Sequence, residues 1–565
     1  MTEVIIKYIS TKNSEETIEL NGLLLHSKYD PIKEAKRIVE KEYQENFVHI
    51  LFGYGAGYIA DALEEKLNGK ENIIIVEPFL EELKINKDYV IDANDTKTVA
   101  TILSQKLENY SREVKVICSP NYDKLAMEEY KKILQLVKDI QRDKQVDENT
   151  VRFGSESWQE NYIKNLVCAY EDLSLNQLEK KYDCPVVIAS GGPSLTKQLP
   201  LLKKVKENII LIAAGSTINS LLKNDIVPDY VVSIDGDIAN YNHFKDLKLK
   251  KTALLYGMSS HYQIQQEYVG KRYALLTTND FRVGEHMKEK YNIDLPYMPG
   301  GGSVAHFAFT IAMFITSGPI ALIGQDLAYT NNATHAGDNK QFKIIDQNYL
   351  KSRDAFEVEG YLQGKVTTDY VFYSMKQAFE YLHEVIEHDS PIYNCTEGGV
   401  KLQGFKQITF NKFIETYIQE LKARFINKES QKKLQFLLLI EQLHKEELIY
   451  NKIEKNLQDA LSLLKLNKQY GYFKQNVLVK LDKIDQKTKE YFRDVMMDRI
   501  VEPLTIDVLR NYKANSNESV EESFVRVYNQ NIELYTRLLE VTQKSKQFTK
   551  EAIEYAKIYE VDNNE

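Results

Sequence analysis

Four continuous apolar runs, each ending in small or polar residues, constrain the fold of this chain more than any other feature. They lie at 185–190, 208–214, 230–235 and 319–324. Runs of this kind are typical of parallel strands that are covered on both faces. In α/β proteins, ligands bind where the carboxyl ends of such strands open into loops. We therefore predict a doubly wound α/β domain over residues 181–408, with its site at the strand ends.

The first 150 residues show the same pattern over a shorter stretch. Apolar runs at 48–52, 73–76 and 114–118 alternate with helical segments. Strand, helix and strand at this spacing predict a parallel sheet. Residues 1–150 are therefore interpreted as a small Rossmann-like N-terminal domain.

A glycine-rich loop follows the first of these runs. It contains Gly53, Gly55 and Gly57, and Glu77 ends the next run. This arrangement resembles a dinucleotide or S-adenosylmethionine site, in which the acid would bind ribose hydroxyls. Packing of the loop alone is the alternative, because no second catalytic motif lies nearby.

Residues 409–565 contain almost no glycine and are rich in Lys, Glu, Gln and Leu. Apolar residues recur there at helical spacing, and Pro503 interrupts the pattern. We predict an all-α C-terminal bundle, and a linker helix over 151–180 that follows the N-terminal domain. The two apolar stripes are Ile449, Ile453, Leu457, Ala460 and Leu464, and then Leu478, Leu481, Ile484, Tyr491 and Val495.

Composition disfavours several classes of protein. A net charge of −9 over 565 residues gives no global electrostatic reason to bind nucleic acid. The four cysteines are spread singly, which fits free thiols in a reducing compartment. The sequence shows no signal-peptide pattern and no apolar run long enough to span a bilayer. We expect a cytoplasmic protein with no membrane span.

The strongest motif is the glycine turn at 189–195, directly after a strand. Gly191 and Gly192 allow a ligand to approach the backbone, and the helix that follows Ser194 would offer N–H groups to a phosphate. The turn lacks the Lys-Ser/Thr ending of a P-loop, which disfavours P-loop NTPase chemistry. A tight turn without a ligand is the alternative.

Asp235 and Asp237 end another strand. An acidic pair separated by one residue can hold a divalent metal that bridges a nucleotide diphosphate. Asp235 could equally contact a ribose or sugar hydroxyl without a metal, and an exposed acidic turn is the third alternative. We predict ligand contact and leave the metal open.

Three glycines at 300–302 precede Ser303 and a helical stretch over 306–316. The loop is a potential anion nest, with Ser303 as helix N-cap or as ligand donor. His306 lies on an apolar helix, so a packed histidine is predicted there.

The last strand end carries Gln325, Asp326 and Tyr329, and His335 follows six residues after the tyrosine. The near-neutral pKa of histidine makes His335 the candidate general base for deprotonating an acceptor hydroxyl. A further small-polar loop at 393–399 contains Asn394 and Thr396, which could contact ligand or only build the turn.

These motifs together resemble a known family. Those at 189–195, 300–305, 323–336 and 394–399 occur in the order found in the motility-associated factor (Maf) flagellin glycosyltransferases. The resemblance covers about 180–405 and is looser elsewhere. That family shares its central domain with MptE-like pterin diphosphokinases, and the region also resembles bacterial sialyltransferases that use CMP-sialic acid.

The resemblance implies transfer of a nonulosonic acid, of the pseudaminic or legionaminic type, from its CMP-activated form to serine or threonine of flagellin. Flagellar assembly and motility would depend on this reaction in the cytoplasm. The implied partners are the nucleotide sugar and flagellin, the helical tail would recognise flagellin, and an oligomer is compatible with the tail. No cofactor is required, although Mg²⁺ is compatible with the motifs. Deleting 410–565 should then block modification and spare CMP-sugar binding.

The resemblance also implies roles for individual residues. His335 would act on the acceptor, Tyr329 would donate to the departing phosphate, and Asp326 completes the candidate catalytic set. The candidate residues for binding the nucleotide sugar are Gly191, Gly192, Ser194, Gly215, Asp235, Gly301, Gly302, Ser303, Gln325, Asn394 and Thr396.

Two other functions are compatible with the motifs. An ATP-dependent pterin diphosphokinase would need Asp235 and Asp237 to bind magnesium. The extra N-terminal domain and the long tail argue against such a small metabolic kinase. A non-catalytic flagellin-binding protein would not need the glycine loops, which this sequence keeps.

Overall fold

The computed structural model describes residues 4–562, except 46, 68, 70–71, 110–112, 363, 419–435, 513 and 515–517. The chain forms two compact units, Met1–Val151 and Arg152–Glu565. The fold is mixed α/β with parallel sheets and a helical C-terminal region, which confirms the predicted class. Among the described helices, none combines the length and the apolar character that crossing a bilayer requires.

The first unit contains a parallel sheet of four strands and an antiparallel sheet of three. Its strands are β1 (Ile6–Ser10), β2 (Glu16–Leu20), β3 (Leu23–Leu24), β4 (Phe47–Phe52), β5 (Ile73–Glu77), β6 (Val90–Asp92) and β7 (Glu113–Cys118). Its helices are α1 (Pro31–Glu42), α2 (Tyr58–Leu67), α3 (Thr96–Asn109), α4 (Tyr122–Leu125) and the start of α5 (Met127–Glu171). The parallel sheet has the order β6-β5-β4-β7, so two of the three apolar runs form its central strands β4 and β5, and the third forms the edge strand β7.

The second unit is built on a parallel sheet of ten strands. They are β8 (Leu173–Ser174), β9 (Val186–Ala189), β10 (Ile210–Ala214), β11 (Tyr230–Ser233), β12 (Ala253–Gly257), β13 (Arg272–Thr277), β14 (Tyr297–Met298), β15 (Ile320–Ile323), β18 (Ile392–Asn394) and β19 (Lys406–Gln407). A separate antiparallel hairpin consists of β16 (Phe356–Glu359) and β17 (Lys365–Thr368).

Helices connect these strands and cover the sheet. They are α6 (Leu195–Val205), α7 (Thr217–Lys223), α8 (Ile238–Phe244), α9 (Tyr262–Glu267), α10 (Phe281–Tyr291), α11 (Val304–Ile315), α12 (Gln347–Ser352) and α13 (Tyr370–Val385). Short 3-10 helices occur at Leu175–Leu178, Lys206–Asn208, Thr278–Asp280 and Thr330–Asn332.

The sheet order places a topological switch point at β9. The order is β14-β13-β12-β11-β10-β9-β15-β18-β19, with β8 paired to β13. From β9 the chain moves outward strand by strand to β14, and α11 then returns it to β15 on the other side of β9. In register, Ile188 of β9 lies beside Ile212 of β10 and Leu322 of β15. The crevice beyond the carboxyl ends of β9 and β15 is where ligands bind in sheets of this type.

Both faces of the sheet are buried, as the apolar strands predict. On β9, Val187 packs in one hydrophobic cluster together with Leu199 of α6. Its neighbour Ile188 packs in a second cluster on the opposite face, with Phe309 of α11 and Phe379 of α13. The alternation of side chains along the strand therefore produces the doubly wound architecture.

The C-terminal helices are α14 (Phe410–Tyr417), α15 (Phe436–Asn467), α16 (Gln475–Arg493), α17 (Asp498–Asn511) and α18 (Val520–Asp562), with a 3-10 turn at Lys468–Tyr470. Four members of the first predicted stripe are buried, and they pack with residues of α16 to α18. The prediction that Pro503 interrupts a helix is wrong, because Pro503 lies inside α17. The break between helices falls between Arg493 and Asp498. The buried stripe residues are Ile453, Leu457, Ala460 and Leu464.

These helices also share a core with the central sheet. Phe410, Phe413 and Leu439 belong to the same buried cluster as Val187 and Leu211. Deleting 410–565 would expose that cluster to water, and the loss of large buried side chains costs about 3–5 kcal/mol for each phenylalanine. The expectation that such a deletion leaves CMP-sugar binding intact is therefore not supported by the packing.

Candidate functional site

A cavity of about 300 Å³ lies at the switch point of the central sheet. Its walls are the loops that follow β9, β10, β11 and β15, the first turn of α11, and part of α13. The motifs predicted from strand ends therefore come together in space. The predicted site residues that line it are Gly191, Gly192, Gly215, Asp235, Asp237, Ser303, Gln325, Asp326 and His335.

The glycine turn after β9 packs directly on the loop after β15. The Gly192 N–H donates to the Gly324 carbonyl over 2.8 Å. A Cβ atom on Gly192 would lie 2.5 Å from that carbonyl oxygen and would also overlap the Asp326 carboxylate. Gly192 is thus required by close packing, whereas a Cβ on Gly191 would lie no closer than 3.1 Å to any neighbour. Gly191 is the position where a ligand could approach the backbone.

Ser194 does not line the cavity but fastens the turn from behind. Its hydroxyl donates to Asp326 Oδ1 over 2.6 Å, and its N–H lies 3.1 Å from Asp326 Oδ2. Asp326 is 1% exposed. Burial raises the pKa of Asp326, and the Ser194 hydrogen bonds oppose that rise. The pair joins two loops, so its geometry is that of a clamp.

Residues 235–237, which we call the acidic loop, present two carboxylates to the cavity. Asp235 is exposed in the wall of the cavity, while desolvation by the surrounding protein and the nearby Asp237 raise the pKa of Asp235 to about 6. Asp237 caps α8, because its Oδ1 accepts the Asn240 N–H over 2.7 Å. One oxygen of the pair is therefore already engaged.

The first turn of α11 forms the opposite wall. Ser303 is the N-cap of this helix, and its N–H donates to His306 Nδ1 over 3.2 Å. His306 Nε2 lies 2.8 Å from the Met375 carbonyl, so His306 is packed as predicted. Gly301 and Gly302 lie outside the cavity lining, and a Cβ on Gly302 would meet nothing within 4 Å.

Four buried polar atoms of lining residues have no hydrogen-bond partner within the described chain. They are Ser190 Oγ, His243 Nδ1, Gln325 Oε1 and His335 Nδ1. Burial lowers the pKa of His335 below its ordinary 6.5, an interaction with the Gln341 backbone opposes the shift, and His243 adds to it. His335 is thus neutral at pH 7. Buried polar atoms normally find a partner, so a ligand or ordered water is expected at these four.

Tyr329, Asn394 and Thr396 do not line the cavity. The Tyr329 hydroxyl donates to Asp369 over 2.7 Å, and burial raises the pKa of Tyr329 well above its ordinary value. Thr396 Oγ1 accepts the N–H of Gln325 over 3.1 Å. These residues support the loop that carries Gln325 and Asp326.

Several lining residues were not identified from the sequence. Ser216 and Thr217 follow β10, and the rule used for the other strand ends would have found them. Phe372 and Met375 belong to α13, which follows the hairpin strand β17 and not a strand of the parallel sheet, and their spacing gives no functional signal. Asn240 and His243 line the cavity from α8.

The cavity has an unusual distribution of charge. Among the described residues that line it, none is Lys or Arg, and Asp235, Asp237 and Asp326 are acidic. Positive potential comes from the amino terminus of α11, whose first N–H groups have no partner within the helix. At the amino terminus of α6 the Ser194 N–H already donates to the Asp326 carboxylate. No group of three or more His, Cys, Asp or Glu residues within the described ranges is arranged to hold a metal ion.

The glycine loop of the first unit is filled by the protein itself. Glu77 Oε2 accepts the N–H groups of Tyr54 over 2.7 Å and of Gly55 over 3.2 Å, and the Tyr122 hydroxyl donates to it over 2.7 Å. A Cβ on Gly53 would lie 2.5 Å from the Tyr122 ring. The carboxylate that would bind a ribose is fully buried and engaged, which favours the packing alternative.

Comparison with known proteins relates the chain to a family model and to solved structures. The family model described as "6-hydroxymethylpterin diphosphokinase MptE-like" matches residues 160–332, which confirms the predicted relationship of the central region. A solved structure described as "Structure of MAf glycosyltransferase from Magnetospirillum magneticum AMB-1" aligns with 98% of this chain and 91% of its own, at 13% identity and a TM-score of 0.48. That description names the family that the motifs resemble. No curated protein matches the sequence.

Proposed function

We propose that the chain is a glycosyltransferase that moves a nonulosonic acid from its CMP-activated form to serine or threonine of flagellin, in the cytoplasm. The sugar is of the pseudaminic or legionaminic type, and the reaction serves flagellar assembly and motility. The order of the sequence motifs supports the reaction, and the cavity at the switch point supports the presence of a nucleotide-sugar site.

One observation carries the choice of donor. The start of α11 and unpartnered polar side chains line the cavity, and none of the described lining residues is cationic. A CMP-linked sugar has a single phosphodiester charge, which the N–H groups at a helix amino terminus can bind without lysine or arginine. The unpartnered atoms of Ser190, Gln325 and His335 would bind polar groups of the donor or the acceptor.

In the proposed reaction, the acceptor oxygen forms a bond to the anomeric carbon while the bond between that carbon and the phosphate oxygen breaks. CMP leaves with the electron pair, and the acceptor proton passes to His335. His335 Nδ1 has no partner among the described groups, and its lowered pKa keeps it neutral and able to accept a proton. The loop of Gly191 and the start of α11 would stabilise the departing phosphate.

Tyr329 and Asp326 have supporting parts in this proposal. The Tyr329 hydroxyl is hydrogen-bonded to Asp369, and Tyr329 lies outside the cavity lining. Tyr329 is therefore not placed to donate to the departing phosphate. Asp326 holds the Ser194 end of the glycine turn. Both residues would act by positioning the loops that touch the substrate.

Magnesium fits the acidic loop only in part. Asp235 and Asp237 are hard oxygen ligands of the kind Mg²⁺ prefers, but Asp237 already accepts a hydrogen bond from Asn240. A bound ion would need its remaining ligands from water and from the donor phosphate. We propose that transfer requires no cofactor and that Mg²⁺ can bind without being essential.

An ATP-dependent pterin diphosphokinase is the second candidate, and the family match over 160–332 favours it. Transfer of pyrophosphate from ATP concentrates several negative charges in the site. Because none of the described lining residues is Lys or Arg, those charges would have to be neutralised by Mg²⁺ on Asp235 and Asp237. The two candidates therefore differ in nucleotide and in metal dependence.

Thermal shift measurements with CMP, CTP, ATP and GTP, each with and without Mg²⁺, separate the candidates. We expect CMP and CTP to raise the melting temperature without metal, because a ligand that binds only the folded state stabilises it. Gly191→Ala should abolish the shift, and Gly302→Ala is the matched control because it adds a methyl group where nothing lies within 4 Å. Stabilisation by ATP that depends on Mg²⁺ would favour the diphosphokinase, and no response to any nucleotide would favour a flagellin-binding protein.

A further inference from the structure

The backbone of the acidic loop is fixed by hydrogen bonds at three consecutive carbonyl groups. The Ile234 carbonyl accepts the Ser259 hydroxyl over 3.2 Å. The Asp235 carbonyl accepts the Asn240 amide over 2.6 Å. The next carbonyl, that of Gly236, accepts the side-chain amide of Asn161 on α5. The two cavity carboxylates are therefore presented by a backbone with little freedom.

Asn161 uses its whole side-chain amide to connect two loops. Its Nδ2 donates to the Gly236 carbonyl over 3.0 Å and to the Ser259 carbonyl over 2.9 Å, and its Oδ1 accepts the Tyr262 N–H over 3.1 Å. The side chain is 2% exposed. Both amide protons and the amide oxygen are in use, so Asn161 ties the loop after β11 to the loop after β12.

Trp158 packs against the same loop one helical turn earlier. A Cβ on Gly236 would lie 2.9 Å from Trp158 Cδ1 and 2.6 Å from the Ser259 carbonyl, so the loop rests directly on α5. The Arg499 guanidinium lies 5.5 Å from the centre of the Trp158 ring. Trp158 is the single tryptophan of the chain, which makes its fluorescence a specific reporter on this contact.

We propose that Asn161 is a positioning residue for the acidic loop: it holds the Gly236 carbonyl so that Asp235 and Asp237 keep their places in the cavity wall. It acts through the loop and does not line the cavity itself. The identity of the ligand that benefits rests on the proposed function, whereas the positioning role does not. Trp158 supports the same arrangement by packing on Gly236.

The hydrogen bond from Asn161 restricts the backbone conformation of Gly236. Without the amide, the Gly236 carbonyl loses its partner, and a glycine between two acids has the largest range of backbone conformations of any residue. The carboxylates would then sample orientations away from the ligand. Removing a residue that orients a ligand-contacting group typically costs roughly 10- to 100-fold in affinity or activity.

The test compares Asn161→Ala with Asn165→Ala. Asn165 lies one turn later on α5, is also buried, and donates to the carbonyls of Met258 over 3.0 Å and Ser260 over 2.7 Å without touching the acidic loop. Three quantities are measured on the full chain: hydrogen exchange of residues 233–240, the emission maximum of Trp158, and the dissociation constant for CMP. The first two need no ligand.

We expect Asn161→Ala to speed exchange at 233–240, to shift Trp158 emission to the red, and to weaken CMP binding in the presence of Mg²⁺ by roughly tenfold or more. Asn165→Ala should leave exchange at 233–240, the emission maximum and CMP binding at wild-type values. Wild-type exchange and emission in a folded Asn161→Ala protein would overturn the proposal. If wild type binds no CMP, the donor assignment fails, and exchange and emission still decide the role of Asn161.

Gly236→Ala provides a second variant in case Asn161→Ala does not fold. The added methyl group would meet the Asn161 amide and the Ser259 carbonyl, so it should push the loop away from α5. We expect the same rise in exchange at 233–240 and the same red shift of Trp158. Wild-type values of both quantities in Gly236→Ala would overturn the proposal.

Discussion

The hydroxyl of Ser194 donates a 2.6 Å hydrogen bond to the buried carboxylate of Asp326. Ser194 begins the helix after β9, and Asp326 follows β15, so the bond spans the switch point of the sheet. The sequence assigned these two residues to nucleotide binding and to catalysis. In the structure they join the two loops that form the floor of the cavity.

Ser194→Ala should lower the free energy of unfolding by about 1–3 kcal/mol, because a buried carboxylate loses a hydrogen-bond donor. Denaturant unfolding of the two proteins measures the difference. The folded variant should still bind CMP, and its affinity should weaken only if the loops after β9 and β15 move. Unchanged stability together with complete loss of CMP binding would mean that Ser194 touches the nucleotide, as the sequence alone suggests.

Gly192→Ala and Gly302→Ala should differ sharply although both glycines belong to predicted anion loops. The methyl group in Gly192→Ala would overlap the Gly324 carbonyl and Asp326, and overpacking of this kind costs about 1–3 kcal/mol. In Gly302→Ala the methyl group meets nothing, so stability should change by less than about 0.5 kcal/mol. Equal stabilities of the two variants in urea would argue against close packing of Gly192 on the Gly324 carbonyl and Asp326.

The affinity for CMP should depend on pH through Asp235. Its pKa is raised to about 6, so the carboxyl group is protonated below that pH and negative above it. Without metal, the CMP affinity of wild type divided by that of Asp235→Asn should fall by roughly three- to tenfold between pH 5 and pH 7. The ionised Asp235 carboxylate repels the phosphate of CMP, and two unit charges 4 Å apart repel by about 1 kcal/mol in water. Calorimetric titration of both proteins measures this ratio, in which the titration of the phosphate itself cancels.

The same experiment with Mg²⁺ tests the metal. If the acidic loop binds the ion, ionisation of Asp235 should strengthen nucleotide binding as the pH rises, and the ratio should increase. A ratio that does not change with pH in either condition would place Asp235 away from the phosphate.

His335→Ala should reduce the transfer rate by roughly 100- to 10,000-fold and leave CMP binding and folding intact, because a general base contributes this much. Because the pKa of His335 lies below 6.5, the acidic limb of the wild-type pH profile of kcat/KM should have its midpoint below that value. The control is His444→Ala, because His444 is a half-exposed histidine on α15 that pairs with Glu447 and lies outside the cavity. Full activity of His335→Ala would remove this residue from the mechanism.

The sequence was sufficient to predict the strands around the switch point and the edge of the sheet at which the cavity lies. The apolar run of β9 and its neighbours could be read directly, because strands buried on both faces have no polar side. Their carboxyl ends must meet at one edge, which brought Gly191, Asp235 and His335 together as predicted. What the runs could not give was the direction of side chains beyond the strand ends.

Three examples show this limit. Tyr329 lies close to Asp326 along the chain, yet its hydroxyl turns to Asp369, which is distant in sequence. The glycines of the first unit have the spacing of a nucleotide loop, but Glu77 and Tyr122 fill it. Asn161 lies on a helix without any motif, and only the folded chain brings it to Gly236. Contacts between distant segments decide each case.

The most direct test of the central claim is a transfer reaction followed by intact-mass spectrometry of flagellin. Purified protein is mixed with flagellin and a CMP-activated nonulosonic acid in the absence of added metal. We predict that flagellin gains the mass of one or more sugar residues and that an equal amount of CMP is released, with neither change in His335→Ala. Flagellin of unchanged mass with intact donor, or a product formed only from ATP and a pterin in the presence of Mg²⁺, would contradict the claim.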